Sequence, residues 1–181
     1  DSNNGCKNDT TFVITEPATG ITFGGSSQLN VACKGASTGT IAVVPAGGAT
    51  PYVSFAWTPN VSTTANASSL AAGSYKVEVT DNNGCKNDTT FVITEPTTVM
   101  TFGGSSQLNV VCKGASTGTI TVVAAGGTSP YVSYAWTPNV STTANASGLA
   151  AGSYKVEVTD NNGCKNDTTF IITEPTLGIS T

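Results

Sequence analysis

Five cysteines carry the spacing that first suggests chemistry: Cys6, Cys33, Cys85, Cys112 and Cys164, separated by 27, 52, 27 and 52 residues. The chain has no Cys-x-x-Cys pair and no histidine. Zinc and dithiol redox motifs of that spacing are therefore absent, as are the Ser-His-Asp triad and the Cys-His pair. Regularly spaced cysteines in small β-rich units point to disulfides and an oxidising compartment. Two pairings fit. In the first, Cys33–Cys85 and Cys112–Cys164 each close one unit, and Cys6 bonds upstream. In the second, Cys6–Cys33 and Cys85–Cys112 join neighbours and Cys164 is left over. Loop entropy hardly separates them, since doubling a loop costs only about 0.6 kcal/mol. The phase of the units favours the first, which ties the first strand of a unit to its final hairpin and would add roughly 2–4 kcal/mol.

Oxygen-bearing residues come next. Asp81-Asn82-Asn83-Gly84, repeated at Asp160–Gly163, offers ligands of the kind calcium takes, without the spacing or closing Glu of an EF-hand. The same residues are a hairpin turn, for which Asn-Gly is the strongest local signal. Glycoside cleavage needs two close carboxylates in a cleft. Glu78, Asp81, Asp88 and Glu95 instead fall on exposed strand faces or turns, so no catalytic residues, metal or cofactor are expected and the chain reads as a non-enzyme. Tyr52 and Tyr131 are the residues best placed to stack on a sugar ring, because the opposite face of their strand carries Trp57 or Trp136. The flanking Pro51 and Pro130 suggest a loop edge instead. Thr doublets such as Thr63-Thr64, Thr89-Thr90 and Thr97-Thr98 are too scattered for an ice-binding ladder and suit strands by propensity alone.

Composition narrows the partners. Charged residues make up 10% of the 181 residues, against about 25% in an ordinary soluble domain. There are seven Lys, no Arg and a net charge of −4, which provides no basic footprint for nucleic acid or an anionic membrane surface. No apolar run approaches the roughly 18 residues of a spanning helix, so this segment is not expected to insert in a membrane. No basic-then-apolar signal opens the chain, which reads as a mature piece, or a slice, of something longer. Few Lys and no Arg also leave few sites for trypsin-like proteases.

The elements that position these residues recur every 79 residues. Aligning 18–96 with 97–175 leaves 68 of 79 positions identical, and residues 3–16 match 82–95 without a change. The expected organisation is residues 1–17 as the end of a preceding repeat, two whole repeats at 18–96 and 97–175, and 176–181 opening the next. Near-identical neighbours risk exchanging strands during folding. Their retention suggests that length itself is useful.

Within a repeat the apolar residues alternate with period two and no helix signal appears. Strands are expected at Gln28–Cys33, Gly39–Val44, Tyr52–Thr58, Ser74–Thr80 and Thr89–Thr94. Ser74–Thr80 sets Tyr75, Val77 and Val79 against Lys76 and Glu78. About seven short strands separated by Gly, Pro and Asn turns make an all-β, immunoglobulin-like sandwich. One Trp sits in the third strand, and Leu70-Ala-Ala-Gly-Ser-Tyr75 has the setting of a tyrosine corner. Tyr75, Tyr154, Trp57 and Trp136 read as core residues. Pro96 makes the linker short and extended, so neighbours should stack as semi-rigid beads, each advancing the array by roughly 35–45 Å.

The ordered pattern Cys33-Lys-Gly to Gly39, Gly47-Gly48, Pro51-Tyr52, Trp57, Leu70, Gly73, Tyr75, Asp81, Gly84-Cys85 and Ile93-Thr-Glu-Pro96 recurs from Cys112 to Pro175. It closely resembles the SprB repeat. The resemblance implies a very large surface protein of gliding Bacteroidota, exported by the type IX system and acting as an adhesin or filament. It implies partners among neighbouring repeats of the same chain, like filaments, and surface polysaccharide or a host substratum. It also implies Asp-Thr O-glycosylation, for which Thr10, Thr89 and Thr168 are the candidates; the same residues open a strand. The function expected is a structural or adhesive stalk segment at the bacterial cell surface. The alternatives are a carbohydrate-binding module acting by avidity and the non-catalytic stalk of a secreted polysaccharide-degrading enzyme.

Overall fold

The computed structural model describes residues 9–15 and 19–176. Cys6 and its upstream bond lie outside the described residues, as do residues 16–18 and 177–181. The first repeat contains β1 (Ser27–Leu29), β2 (Gly39–Ala42), β3 (Ser54–Thr58), β4 (Asn66–Leu70), β5 (Gly73–Thr80) and β6 (Lys86–Ile93). The second contains β7 (Ser106–Leu108), β8 (Gly118–Thr121), β9 (Tyr131–Thr137), β10 (Asn145–Leu149), β11 (Gly152–Asp160) and β12 (Lys165–Ile172). Each repeat is a pair of three-stranded antiparallel sheets, ordered β1-β2-β4 and β3-β5-β6 in the first and β7-β8-β10 and β9-β11-β12 in the second. First strand beside second beside fourth, facing third beside fifth beside sixth, is the immunoglobulin arrangement with one edge strand omitted.

Alternation builds the core. On β5, Tyr75, Val77 and Val79 are buried while Lys76 and Glu78 face out, because successive side chains of a strand point to opposite faces. Val77 and Val79 are wholly enclosed, with Ile41, Trp57, Leu70 and Ile93 packed around them. The second repeat has its own cluster of the same residue types, from Val110 to Ile172, with Met100 added. The strand-three tryptophan is core: Trp57 Nε1 donates to Thr64 O at 2.8 Å, and Trp136 Nε1 to Thr143 O at 2.9 Å. The tyrosine corner is present in both copies, with Tyr75 Oη donating to Ala71 O and Tyr154 Oη to Ala150 O, each at 3.0 Å. Gly39 is required by close packing. A Cβ there would lie 2.8 Å from Ile93 Cγ2 and 2.9 Å from Leu70 O.

Each repeat has six named strands among the described residues, in keeping with the expected count of about seven, and a single bridge, Thr22 to Ala46 or Thr101 to Ala125, opens it. The strand β4 is not marked in the sequence. Its sequence, Asn-Ala-Ser-Ser-Leu, lacks the β-branched and aromatic residues that mark strands. Burial of Ala67 and Leu70 holds it to β2, across an irregularity at Ser69, whose φ is +56°.

The disulfide pairing is corrected. The bond is Cys33–Cys164, with the two Cα atoms 5.5 Å apart and a sequence separation of 131. Cys33–Cys85 and Cys112–Cys164 are not formed. The direction of the β5–β6 hairpin explains why. Thr80 pairs with Lys86 at one end and Gly73 with Ile93 at the other. Cys85 lies in the turn at the first end. Cys33 lies at the second, where Val31 N donates to Thr94 O and Asn30 Oδ1 accepts from Thr94 N. An eight-residue strand separates those ends by roughly 25 Å, whereas a disulfide needs Cα atoms within about 7 Å. The cysteines of one repeat sit at its two opposite ends.

Candidate functional site

The chain leaves the first sandwich at Thr94-Glu95-Pro96, and the Cys33 loop is built around that departure. Gln28 Nε2 donates to Val92 O and Asn30 Oδ1 accepts from Thr94 N, so polar residues in and just after β1 dock on the end of β6. Glu95 folds back to accept the Gly35 amide at 2.6 Å, and its other oxygen lies 3.7 Å from Lys34 Nζ. Lys34 Nζ also donates to Thr97 O at 2.9 Å, clasping the linker. Gly35, at φ +77°, completes a tight turn in which Ala36 N donates to Cys33 O. A positive φ of this kind is readily adopted by glycine.

The facing half is the β11–β12 turn. Asp160 is buried in it, and its carboxylate accepts three backbone amides: Thr128 N at 2.8 Å, Asn162 N at 2.9 Å and Cys164 N at 2.9 Å. Asp160 N in turn donates to Cys164 O at 2.9 Å. Asn162 Nδ2 crosses the junction to Ala32 O at 3.3 Å and also reaches Thr128 Oγ1 at 3.1 Å. Two loops, each ordered by its own repeat, thus present Cys33 and Cys164 to one another. Beside the bond lies a cleft of about 340 Å³ lined by Lys34, Pro96, Met100, Asp160 and Asn166 among others.

The same turn in the first repeat has the same chemistry. Asp81 accepts the amides of Ala49, Asn83 and Cys85, each at 2.9 Å. The Ala49 amide chiefly holds its carboxyl below the ordinary range; burial opposes this, and the amides of Cys85, Asn83 and Gly84 add to it. Gly48, at φ +64°, admits the carboxylate, since a Cβ there would sit 2.9 Å from Asp81 Oδ2. Both carboxylates are surrounded by N–H donors, so the turn works as a folding device rather than an open cage of oxygens. Among the described residues no cluster of metal-ligating side chains occurs.

Tyr52 and Tyr131 are half-buried against their cores, with hydroxyls donating to Gly47 O at 2.7 Å and Gly126 O at 2.8 Å. Thr89 and Thr168 stand opposite Val77 and Val156, half-buried on the inward side of the outer strand, and Thr10 is exposed. The acids on the outward face are tied to lysines: Lys76–Asp88 at 3.1 Å and Lys86–Glu78 at 2.6 Å, with copies Lys155–Asp167 at 2.9 Å and Lys165–Glu157 at 2.7 Å. These exposed pairs each contribute at most about 1 kcal/mol. None of Lys34, Glu95 and Asn162 is expected from sequence to join neighbouring repeats: Glu95 reads there only as one of the scattered carboxylates, and Asn162 only as an oxygen ligand or hairpin residue. Their signal lies in the Cys-Lys-Gly, Thr-Glu-Pro and Asn-Asn-Gly-Cys segments, which recur unaltered in both repeats.

Comparison with known proteins fits this division. The model of the SprB repeat family matches twice, at residues 25–62 and 104–141. Each match runs from the first strand past the third. The crystal structure of murine CEACAM1b is similar over 75% of this chain and 92% of that one, at 13% identity and a TM-score of 0.31, a superposition too loose to inform the site. No curated protein sequence matches the chain.

Proposed function

Since this chain carries two SprB repeats, the repeat of extracellular surface proteins, we propose that it is a load-bearing stalk segment of a bacterial surface filament or giant adhesin. The segment itself catalyses nothing. It serves reach and stiffness, and specific attachment belongs to other parts of the molecule. Export through the type IX system, a part in gliding or attachment, and glycans on Thr10, Thr89 or Thr168 belong to the same reading. Intact-mass measurement of the native protein tests the glycans, and an unmodified mass removes them.

The observation that carries the proposal is the Cys33–Cys164 bond across the junction. An enzyme or a freely jointed string of modules gains little from locking its linker. A stalk under tension gains directly, because force bypasses the enclosed stretch of chain. Pulling the two-repeat chain from its ends tests this. With the bond intact, the 131-residue separation between the cysteines stays closed. With the bond reduced, unfolding releases roughly 460 Å more contour at about 3.5 Å per residue. Equal extension in both states would overturn the load-bearing reading.

A further inference from the structure

Cys85 and Cys112 are free and exposed. They are the 79-residue equivalents of the two cysteines that are bonded: Cys85 of Cys164, and Cys112 of Cys33. Each keeps the local scaffold of its bonded counterpart. Cys85 N donates to Asp81 at 2.9 Å, as Cys164 N does to Asp160. In the Cys112 loop, Gly114 N donates to Glu174 at 2.7 Å, as Gly35 N does to Glu95. Ala115 N donates to Cys112 O just as Ala36 N does to Cys33 O. Cys85 marks the incoming end of the first sandwich and Cys112 the outgoing end of the second.

We infer that Cys112 and Cys85 are the two open halves of the Cys33–Cys164 junction, and that further copies of the repeat join head to tail by a Cys112–Cys85 disulfide. The Cys33–Cys164 bond is the template: the outgoing loop of one repeat takes the incoming turn of the next, with Asn83 standing where Asn162 bridges to Ala32 O. The two halves differ, so the contact is heterologous and propagates as an open array instead of closing into a two-fold dimer. The array becomes one covalent line in which every junction is bridged. The inference rests on the repeat geometry alone and does not depend on an adhesive or stalk role.

Forming the bond removes one proton and one electron from each thiol. The acceptor is a low-molecular-weight disulfide, whose S–S bond breaks to yield two thiols while the Cys112–Cys85 bond forms. The test uses a second copy of this chain. In a Cys6→Ser background, C112S retains the Cys85 thiol and C85S retains the Cys112 thiol. Equal amounts are mixed and oxidised in a glutathione buffer, and crosslinks are identified by non-reducing electrophoresis and peptide mass mapping. The heterodisulfide is expected to exceed each homodisulfide by about tenfold, a preference of 1.4 kcal/mol. The C6S chain with both thiols should form a ladder. Cys33–Cys164 in the same peptide map reports that each variant has folded. Statistical pairing, predominant homodisulfides or an absence of crosslinks would each overturn the inference.

Discussion

The carboxylate of Asp160 accepts the backbone amide of Cys164 at 2.9 Å, so the half-cystine that joins the two sandwiches is held by a buried residue four positions before it. The same oxygen accepts the Asn162 amide, and the other reaches Thr128 in the loop before β9. One side chain therefore sets the turn, fastens it to its domain and aims the sulfur outward.

Asp160→Ala should strand these amides. Leaving buried donors unsatisfied costs about 1–3 kcal/mol, so the second repeat should unfold at lower denaturant while the first is unchanged. The yield of Cys33–Cys164 on oxidative refolding should also fall. Urea titration with disulfide mapping checks both, and a variant that forms the bond as readily as the parent contradicts the role given to Asp160.

Asp81 sets an acid limit on the first repeat. Its folded-state pKa is depressed, chiefly by the Ala49 amide. A group of that kind contributes its full stability above the unfolded carboxylate value of about 3.9 and loses it as pH falls through the lower folded value. Thermal melts should be flat from neutral pH down to the ordinary carboxylate range and should decline below it. Asp81→Asn should be less stable at neutral pH and show a shallower acid decline in the first repeat.

Ser69 and Gly148 occupy equivalent positions and both have positive φ, +56° and +68°. A non-glycine residue there carries strain of roughly 1–2 kcal/mol, partly offset because glycine loses more freedom on folding. Ser69→Gly should raise the stability of the first repeat by about 0.5–1 kcal/mol, and Gly148→Ser should lower the second by a similar amount. Differential scanning calorimetry of each repeat measures the pair.

Gly39→Ala should be among the most damaging single changes outside the cysteine turns. The added methyl would meet backbone oxygen as well as Ile93, and backbone cannot step aside as a flexible side chain can. Overpacking of this kind costs about 1–3 kcal/mol. Chemical denaturation of the variant should show a lower midpoint with an unchanged slope.

Much of the architecture is legible in the sequence. The 79-residue period, the alternation on Ser74–Thr80, the strand-three tryptophan and the tyrosine corner are local patterns, and local sterics and burial are enough to decode them. The Asp-Asn-Asn-Gly turn was legible for the same reason. The strand β4 was not, because Ala67 and Leu70 hold it in place only through what they pack against. The cysteine pairing was not legible either. Spacing shows that each repeat carries one cysteine of each kind, but a disulfide depends on which ends of the sandwich face each other. That depends on the β5–β6 hairpin carrying Cys85 a full strand length from Cys33, and on the linker bringing the next repeat's turn to the Cys33 loop. Sequence by itself determined the unit and its two thiols. Only the tertiary structure decided that the thiols serve neighbouring units, because bond formation depends on distance in space and the repeat period records distance only along the chain.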